Sequence, residues 1–366
     1  MGRRPLSQTV PDPPQGGAED WRRVLEALAE AGWEPVSFEP LAGDVSARRY
    51  GRLGLASGER RVVCGYPDDM KDIAERFLRA GHLLAKVDVP TPRVEGYSLD
   101  HPVWILLEDL GPHTLFERWT GDDEGSYAKA SRRLVEAREL IRRIQLLPPK
   151  EVRALGSPPL DRALLMAELD QTWVRFLEPR GLVSDARLAE EVRAVFAALC
   201  ERLDSATPVP CHRDFMARNL MLRAPGTDSA GDSEELVLID HQDLRLGPPC
   251  YDLASLLNDS LTLSVRERQE QLSAVREDAG LMGQYNAAAA QRTLKIAGTF
   301  AHFATVRSDR YLRLIPPALL RFLDALAALP EGRDLAPRLR REWAAVLVSV
   351  PDLHRRTPCP PLASKS

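Results

Sequence analysis

The sequence predicts an α+β protein with two lobes: a small N-terminal lobe built on a β-sheet and a large, mostly helical C-terminal lobe. Short β-type runs are concentrated between Glu34 and Glu108. From Gly111 to about residue 350 apolar residues recur at helical spacing, and this period lapses between Pro208 and Pro249. A chain of 366 residues, of which 44% are hydrophobic, is long enough for more than one packed core.

The N-terminal end is predicted to be a disordered leader over residues 1–18, because Pro and Gly are frequent there and no hydrophobic period is visible. A helix follows from near Glu19, with Trp21 and Leu28 on one apolar stripe, and we expect it to end near Gly32. The N-terminal lobe therefore begins with a helix.

Five β-type runs and a second helix complete this lobe, for which the sequence predicts the bounds 19–108. Turn residues such as Gly and Pro separate the first runs, as in antiparallel hairpins. The last run is continuously apolar, so both of its faces should be buried. The predicted strands are Val36–Phe38, Ala47–Leu55, Arg60–Cys64, Arg93–Ser98 and Val103–Glu108, and the helix covers Asp68–Val87.

The C-terminal lobe, predicted over residues 109–350, contains one β-hairpin with strands Leu220–Arg223 and Leu236–Ile239. Helical stripes flank the hairpin on both sides, and a flexible Pro-rich tail is predicted over residues 351–366. A hinge near Glu108–Gly111 would join the lobes. Because clefts between lobes are common ligand sites, we expect the functional site to lie there.

Composition and charge argue against several classes of protein. The 49 basic and 53 acidic residues nearly cancel, and no Lys/Arg run with interleaved aromatic residues indicates nucleic-acid binding. Five cysteines without a CxxC pair are typical of reduced thiols. No apolar stretch approaches a signal-peptide core or a membrane span. The sequence predicts a cytoplasmic protein without nucleic-acid or membrane partners, and it leaves the oligomeric state open.

The segment from His212 to Asn219 carries the pattern most directly connected to chemistry. His212-Arg213-Asp214, four further residues and Asn219 reproduce the HRDxxxxN spacing of a kinase catalytic loop. There the Asp orients the attacking hydroxyl and accepts its proton, and the Asn binds a metal ion. Asp240 ends the second strand of the predicted hairpin, which would return its carboxylate beside Asn219. Because carboxylate and amide oxygens suit Mg²⁺, we expect Asn219 and Asp240 to be metal ligands.

Several segments together resemble the aminoglycoside phosphotransferase-like kinases, and within them most of all the bacterial anomeric kinases of N-acetylmuramate and N-acetylglucosamine in cell-wall recycling. The resemblance covers roughly residues 20–330. Its central segments are specific for the superfamily, and the first and last indicate the sugar-kinase branch. The segments are Gly43–Tyr50, Leu106–Gly111, His212–Asn219, Ile239–Asp243 with Gly247-Pro248, Tyr251–Leu257 and Gln291–Phe300.

By that resemblance the chain would have a bilobal protein-kinase-like fold and use ATP and Mg²⁺. Asp214 would be the base that takes the proton of a sugar hydroxyl. Asp252, at the start of a predicted helix, would accept backbone N–H bonds and brace the catalytic loop. His212 and Arg213 would support Asp214 without contacting the substrate.

The resemblance also implies a nucleotide site in the N-terminal lobe. Gly43–Arg49 would form the turn over the ATP phosphates, with Ser46 and backbone N–H groups as donors and Arg48 or Arg49 as charge partners. Many kinases place a Lys on the third strand to hold these phosphates, and none is present in this strand. Arg49 or Arg61 is a candidate to replace it.

Leu106–Leu110 would be the hinge whose backbone reads adenine. Glu108 and Asp109 would lie at its mouth, and Glu108 and Leu110 are the predicted contacts at this end of the nucleotide. His241 follows Asp240 where the resembled family usually has a bulky aromatic residue. It could pack as that residue does or tune the metal site, and packing is the favoured interpretation.

The predicted activity is transfer of the γ-phosphoryl group of ATP to the anomeric hydroxyl of an amino sugar. One alternative keeps the fold and changes the acceptor to an aminoglycoside, a choline-like amine or an amino-acid hydroxyl. A cationic acceptor needs an acidic pocket, which the segment Asp161–Asp170 could provide, although Glu168 and Asp170 are more simply a solvated face. A second alternative is a nucleotide-binding pseudokinase without turnover.

Overall fold

The computed structural model describes residues 18–41, 47–120, 124–183, 185–223, 234–259, 261, 263 and 265–350. Helix α1 (Ala18–Glu30) precedes a five-stranded antiparallel sheet with the strand order β1-β2-β3-β5-β4. Its strands are β1 (Pro35–Leu41), β2 (Arg49–Leu55), β3 (Arg60–Gly65), β4 (Val94–Ser98) and β5 (Trp104–Glu108).

Strand β5 is buried at all five of its positions. One face of the sheet packs against α1, where Trp104 and Leu106 meet Trp21 and Leu25. The other face packs against α2 (Lys71–Ala85), where Ile105 and Leu107 lie in the cluster that contains its Phe77. The apolar run of β5 therefore has the two-sided burial that the sequence predicts, because each face is covered by a helix.

The C-terminal part is mostly helical and encloses the largest hydrophobic cluster of the described chain. Its central helix contains the fully buried run Ala287–Ala290, and at Gly298 an added Cβ would lie 2.4 Å from Oγ1 of Thr172. These small side chains let neighbouring helices approach closely. The helices are α3 (Leu115–Trp119), α4 (Glu124–Ile144), α5 (Pro149–Arg153), α6 (Arg162–Thr172), α7 (Ala186–Asp204), α8 (Tyr251–Asn258), α9 (Val265–Gln271), α10 (Ser273–Arg276), the central α11 (Ala279–Val306), α12 (Ile315–Ala327), α13 (Leu335–Glu342) and α14 (Ala344–Val348).

Two small antiparallel sheets interrupt these helices. Strands β7 (Leu220–Arg223) and β8 (Glu235–Leu238) form the predicted hairpin. Strands β6 (Val209–Cys211) and β9 (Arg245–Gly247) form a second pair that the sequence did not predict, because three residues are too few to display a period. Loop 212–219 thus runs from β6 to β7, with a paired strand at each end.

The α+β class with an N-terminal sheet and a helical C-terminal part is confirmed. The lobe bounds of 19–108 and 109–350 stay predictions. Ala18 already belongs to α1, while the rest of the predicted leader and the predicted tail lie outside the described residues. Among the helices of the described chain, none combines the length and apolar character needed to cross a membrane.

Candidate active site

The β7–β8 hairpin brings Asn219 and Asp240 to the same end. The backbone N–H of Ile239 donates to the carbonyl of Asn219 at 3.0 Å, one residue beyond the paired strands. The expectation that the hairpin returns Asp240 beside Asn219 is therefore confirmed. Nδ2 of Asn219 donates to the carbonyl oxygen of Asp214 at 2.9 Å, so its amide oxygen remains the group suited to a metal ion.

Asp252 holds the start of loop 212–219. Its carboxylate accepts the backbone N–H groups of His212 at 2.7 Å and Arg213 at 2.8 Å, and only 1% of the residue is exposed. Burial raises the pKa of Asp252, against the effect of its neighbours. Arg213 has φ 76°, which is a costly conformation for a long side chain and persists only where its surroundings impose it. The contact expected of Asp252 is present; its importance for catalysis stays a prediction.

The Asp214 carboxylate lies next to two cations from helix α11. Nη2 of Arg292 contacts Oδ1 of Asp214 at 3.0 Å, and Nζ of Lys295 lies 3.9 Å from the same atom. Burial favours the neutral acid, but Lys295, Arg292 and Arg213 together hold the pKa of Asp214 well below its usual range. Asp214 is therefore an ionised carboxylate at neutral pH.

Glu168 on α6 supports the loop from the other side. Oε1 of Glu168 lies 2.7 Å from Nη2 of Arg213, and its Oε2 accepts a hydrogen bond from Gln291 at 3.1 Å. With 7% of the residue exposed, the interpretation of Glu168 as part of a solvated face is wrong. Asp170, in contrast, is half exposed and pairs with Arg193.

The burial of Glu168 has a helical cause. It shares one face of α6 with Leu165 and Thr172, which are three and four positions away and also buried. This helical spacing from Leu165 and Thr172 is the sequence signal that could have predicted the burial of Glu168. A carboxylate on a buried helix face requires a charged or hydrogen-bonding partner.

Arg48, the residue before β2, reaches Asp240. Its Nη2 lies 2.6 Å from Oδ1 of Asp240, and its Nη1 donates to Oε1 of Gln242 at 3.0 Å. Nε2 of Gln242 in turn donates to Oδ1 of Asp240 at 2.9 Å. Burial opposes ionisation of Asp240, but Arg48 lowers its pKa. Asp240 has φ 63°, so the loop turns sharply at this carboxylate.

The other candidates for phosphate contact lie elsewhere. Arg49 pairs with Asp20 at 2.6 Å on the exposed surface. The guanidinium of Arg61 lies 3.3 Å from Glu59 and 3.7 Å from Glu95. Ser46 lies outside the described residues. Of the three arginines considered from the sequence, Arg48 is therefore the one placed beside Asp240.

The side chain of Glu108 is committed to arginines. It is 7% exposed, its Oε1 accepts the backbone N–H of Arg93 at 2.9 Å and contacts Arg223 of β7, and its Oε2 lies 3.1 Å from Nη2 of Arg93. This carboxylate links β5 to the β7–β8 hairpin. Its oxygens are engaged by arginines, so a nucleotide contact of Glu108 stays a prediction for its backbone and not for its side chain.

The next residues of the hinge differ in their contacts. Asp109 pairs with Arg52 at 2.7 Å and accepts the N–H of Gly111 at 3.0 Å. The backbone of half-buried Leu110 makes no hydrogen bond to another described residue. The adenine contact of Leu110 stays a prediction.

His241 packs as an aromatic residue would. It is 1% exposed, its ring stacks on Phe77 of α2 at 4.2 Å, and its Nε2 donates to the carbonyl of Phe77 at 3.1 Å. Burial, with a smaller contribution from His212, lowers the pKa of His241 to about 3. A neutral ring held between α2 and the hairpin end supports the packing interpretation.

The oxygen ligands at the hairpin end fit one kind of metal site. No group of three or more His, Cys, Asp or Glu side chains able to hold a metal ion occurs among the residues that the structure describes. Mg²⁺ does not need such a cage, since it is usually bound through one or two protein oxygens together with water and substrate phosphates. Asn219 and Asp240 suit a magnesium ion that arrives with a nucleotide.

Comparison with known proteins agrees with this geometry. A family model described as the phosphotransferase enzyme family matches residues 37–291. An N-acetylmuramate/N-acetylglucosamine kinase of Pseudomonas aeruginosa is 27% identical over 351 residues, covering 84% of this chain and 94% of that protein. The protein of the same name from Caulobacter vibrioides is 29% identical over 352 residues, with 84% and 92% covered.

Solved structures show the same fold. A GDP complex of aminoglycoside 2'-phosphotransferase-IIIa superposes with a TM-score of 0.58 at 16% identity, covering 85% of this chain and 98% of the other. An ADP-bound aminoglycoside phosphotransferase superposes with a TM-score of 0.55 at 15% identity, with 83% and 96% covered. At these identities the likeness establishes the fold of the chain.

Proposed function

Because the chain belongs to the phosphotransferase enzyme family, we propose that it transfers the γ-phosphoryl group of ATP to the anomeric hydroxyl of N-acetylmuramate or N-acetylglucosamine, as in cell-wall sugar recycling. The observation that carries the proposal is the meeting of Asp214, Asn219 and Asp240 at one end of the β7–β8 hairpin. A pseudokinase has no chemical need for all three groups.

The donor side of the site would bind MgATP. Asn219 and Asp240 would hold the metal ion, which shields the phosphate charge. Arg48, already 2.6 Å from Asp240, is our candidate for the phosphate contact that a third-strand Lys makes in many kinases. The structural relatives named above hold GDP and ADP, which supports a nucleotide in this position.

The acceptor side centres on Asp214. Arg292 donates a hydrogen bond to Oδ1 of Asp214, and Lys295 lies nearest to the same oxygen, so Oδ2 is our candidate to receive the acceptor hydroxyl. Asp252 fixes the backbone of the two preceding residues and so the direction of this carboxylate. Asp214 would orient the hydroxyl oxygen toward the γ-phosphorus and take its proton.

The low pKa of Asp214 favours an acceptor hydroxyl that loses its proton easily, such as an anomeric hydroxyl. A carboxylate whose pKa is held low is a weak base and is best matched with an acidic hydroxyl. The hydroxyl on an anomeric carbon is more acidic than an ordinary alcohol, because the ring oxygen withdraws electron density. The Pseudomonas and Caulobacter relatives are named for two sugars that carry such a hydroxyl.

The contacts of segment 161–170 weigh against a cationic acceptor there. Glu168 is neutralised by Arg213 and has Lys295 at 3.8 Å. Asp161 caps α6 through the N–H of Leu164, and Asp170 pairs with Arg193. The three carboxylates that could have formed an acidic pocket are thus engaged, which argues against an aminoglycoside or choline-like substrate bound by them.

A panel of acceptors tests the proposal. ADP release from MgATP is expected with N-acetylmuramate or N-acetylglucosamine and not with the 1-O-methyl glycoside of N-acetylglucosamine, in which the anomeric oxygen is blocked. Replacing ATP with GTP in the same assay tests which nucleotide is the phosphoryl donor. Release with an aminoglycoside, choline or a hydroxy amino acid but with neither sugar would show that the acceptor is wrong.

A further inference from the structure

Lys295 lies on the central helix α11 between two carboxylates of the site. Its Nζ is 3.9 Å from Oδ1 of Asp214 and 3.8 Å from Oε1 of Glu168, and 17% of its side chain is exposed. Both distances are longer than a hydrogen bond, and no hydrogen bond joins its Nζ to another described residue. The three N–H donors of this ammonium group remain available to a ligand.

The two arginines beside Asp214 are committed to the protein. Arg292 is 1% exposed; its guanidinium forms hydrogen bonds with Asp259, with the carbonyl of Arg213 and with Asp214. The terminal nitrogens of Arg213 contact Glu168 at 2.7 Å and Asp243 at 3.4 Å. These guanidinium groups hold the loop in place and have few donors left for a substrate.

Apart from Arg213, the loop has one further basic side chain after Asp214, and this side chain lies against an aromatic ring. Between Asp214 and Asn219 the basic residue is Arg218, whose guanidinium lies 3.5 Å from the ring centroid of Phe116. Phosphoryl transfer spreads charge over three equatorial oxygens while the attacking and leaving oxygens lie in line. An acceptor oxygen bound to Asp214 brings those equatorial oxygens within reach of groups around this carboxylate, where Lys295 lies.

We propose that Lys295 is a catalytic residue whose ammonium donates hydrogen bonds to the phosphoryl group as it passes to the acceptor hydroxyl. The proposal rests on the proposed function. In this step the acceptor oxygen bonds to the γ-phosphorus and its proton goes to Asp214. The bond from the γ-phosphorus to the bridging oxygen breaks, and its electron pair leaves with ADP. Lys295 stays protonated and neutralises charge on the transferred group.

The first test is Lys295→Gln, which keeps a polar end on a side chain one atom shorter and removes its charge. We expect kcat to fall about 100-fold, as for loss of one donor to a transition-state oxyanion, with KM for ATP changed less than about threefold. The matched control is Lys86→Gln, which removes an exposed ion pair with Glu151 and should leave kcat unchanged. Unchanged kcat in Lys295→Gln would overturn the proposal.

A pH profile separates direct contact from an indirect effect through Asp214. If Lys295 only kept Asp214 ionised, Lys295→Gln would regain the activity of the unmutated enzyme at alkaline pH, and that result would overturn the proposal. Contact with the phosphoryl group predicts that the loss persists from about pH 6 to pH 9. For Lys295→Ala, added ethylammonium should raise kcat about tenfold over its value without the amine.

The outcomes distinguish the two proposals. If the unmutated enzyme phosphorylates no acceptor of the panel, the proposed function fails and the role of Lys295 fails with it. If the unmutated enzyme is active and Lys295→Gln is equally active, only the role of Lys295 fails. Lys295→Arg, which keeps the positive charge, decides the case if the neutral variants do not fold. We expect it to retain more than a tenth of kcat, and a larger loss contradicts the charge role.

Discussion

Nη2 of Arg48 lies 2.6 Å from Oδ1 of Asp240, and this ion pair joins the residue before β2 to the second residue after β8. The same guanidinium donates to Gln242 at 3.0 Å. A cation from the N-terminal sheet thus meets the predicted metal ligand of the hairpin. Since β3 contains no Lys, this relationship makes Arg48 the candidate for the phosphate contact.

Arg48→Met should weaken the use of ATP. Because a charge-assisted hydrogen bond is worth about 1.5–3 kcal/mol, we expect kcat/KM for ATP to fall by roughly 10- to 100-fold. Arg49→Met is the matched control, since its side chain lies on the surface with Asp20, and it should change kcat/KM less than about twofold. Steady-state kinetics with varied ATP measure both, and equal effects of the two substitutions would contradict the assignment.

Asp214→Asn should remove most of the turnover and leave nucleotide binding nearly intact. The amide has almost the shape of the carboxylate but cannot accept the hydroxyl proton, so kcat should fall by about 10²- to 10⁴-fold. Calorimetric titration with MgADP should give an affinity within a few-fold of the unmutated enzyme. A fully active Asp214→Asn protein would remove this residue from the mechanism.

Asp252→Ala should cost stability as well as activity. It would leave the backbone N–H groups of His212 and Arg213 without their buried acceptor, so the free energy of unfolding should fall by about 2–5 kcal/mol. Asp185→Ala, which removes the exposed cap of α7, is a suitable control with an expected loss of about 1 kcal/mol. Chemical denaturation measures both losses, and equal losses would argue against a bracing role of Asp252.

His241→Phe should make the protein less sensitive to acid. The pKa of His241 is lowered to about 3 in the folded protein, whereas an unfolded chain takes up this proton near pH 6.5. Between these pH values the unfolded state binds one more proton, so His241 lowers the free energy of unfolding as pH falls, by up to about 1.4 kcal/mol per pH unit.

Removing the imidazole removes this contribution, while the neighbouring His212 and Asp240 remain in both proteins. Denaturation curves between about pH 6 and pH 4 should therefore show a smaller loss of stability for His241→Phe. Identical pH slopes for the two proteins would contradict a neutral, buried His241.

Local sequence patterns predict much of the fold and the hairpin on which the site is built. The apolar run of β5 indicated burial on two faces, and the spacing around the polar stretch after Arg223 indicated the hairpin that brings Asp240 to Asn219. These features depend on periods of two or 3.6 residues and on turn residues, which a single sequence displays. The short strands β6 and β9 are too brief to display a period.

Contacts between distant segments could not be predicted in the same way. Arg292 and Lys295 were visible only as part of a resembling segment, and their approach to Asp214 depends on how α11 packs against the loop. The choice of Arg48 over Arg49 depends on which of two adjacent side chains faces the hairpin. Such choices follow from tertiary packing, which adjacent sequence positions do not encode.

The most direct test of the central claim is the NMR spectrum of the product formed from MgATP and N-acetylglucosamine labelled with ¹³C at the anomeric carbon. The account predicts a phosphate whose ³¹P signal is coupled to that carbon and to its proton. A phosphate on another hydroxyl, or ADP formation without any phosphorylated sugar, would contradict transfer to the anomeric position.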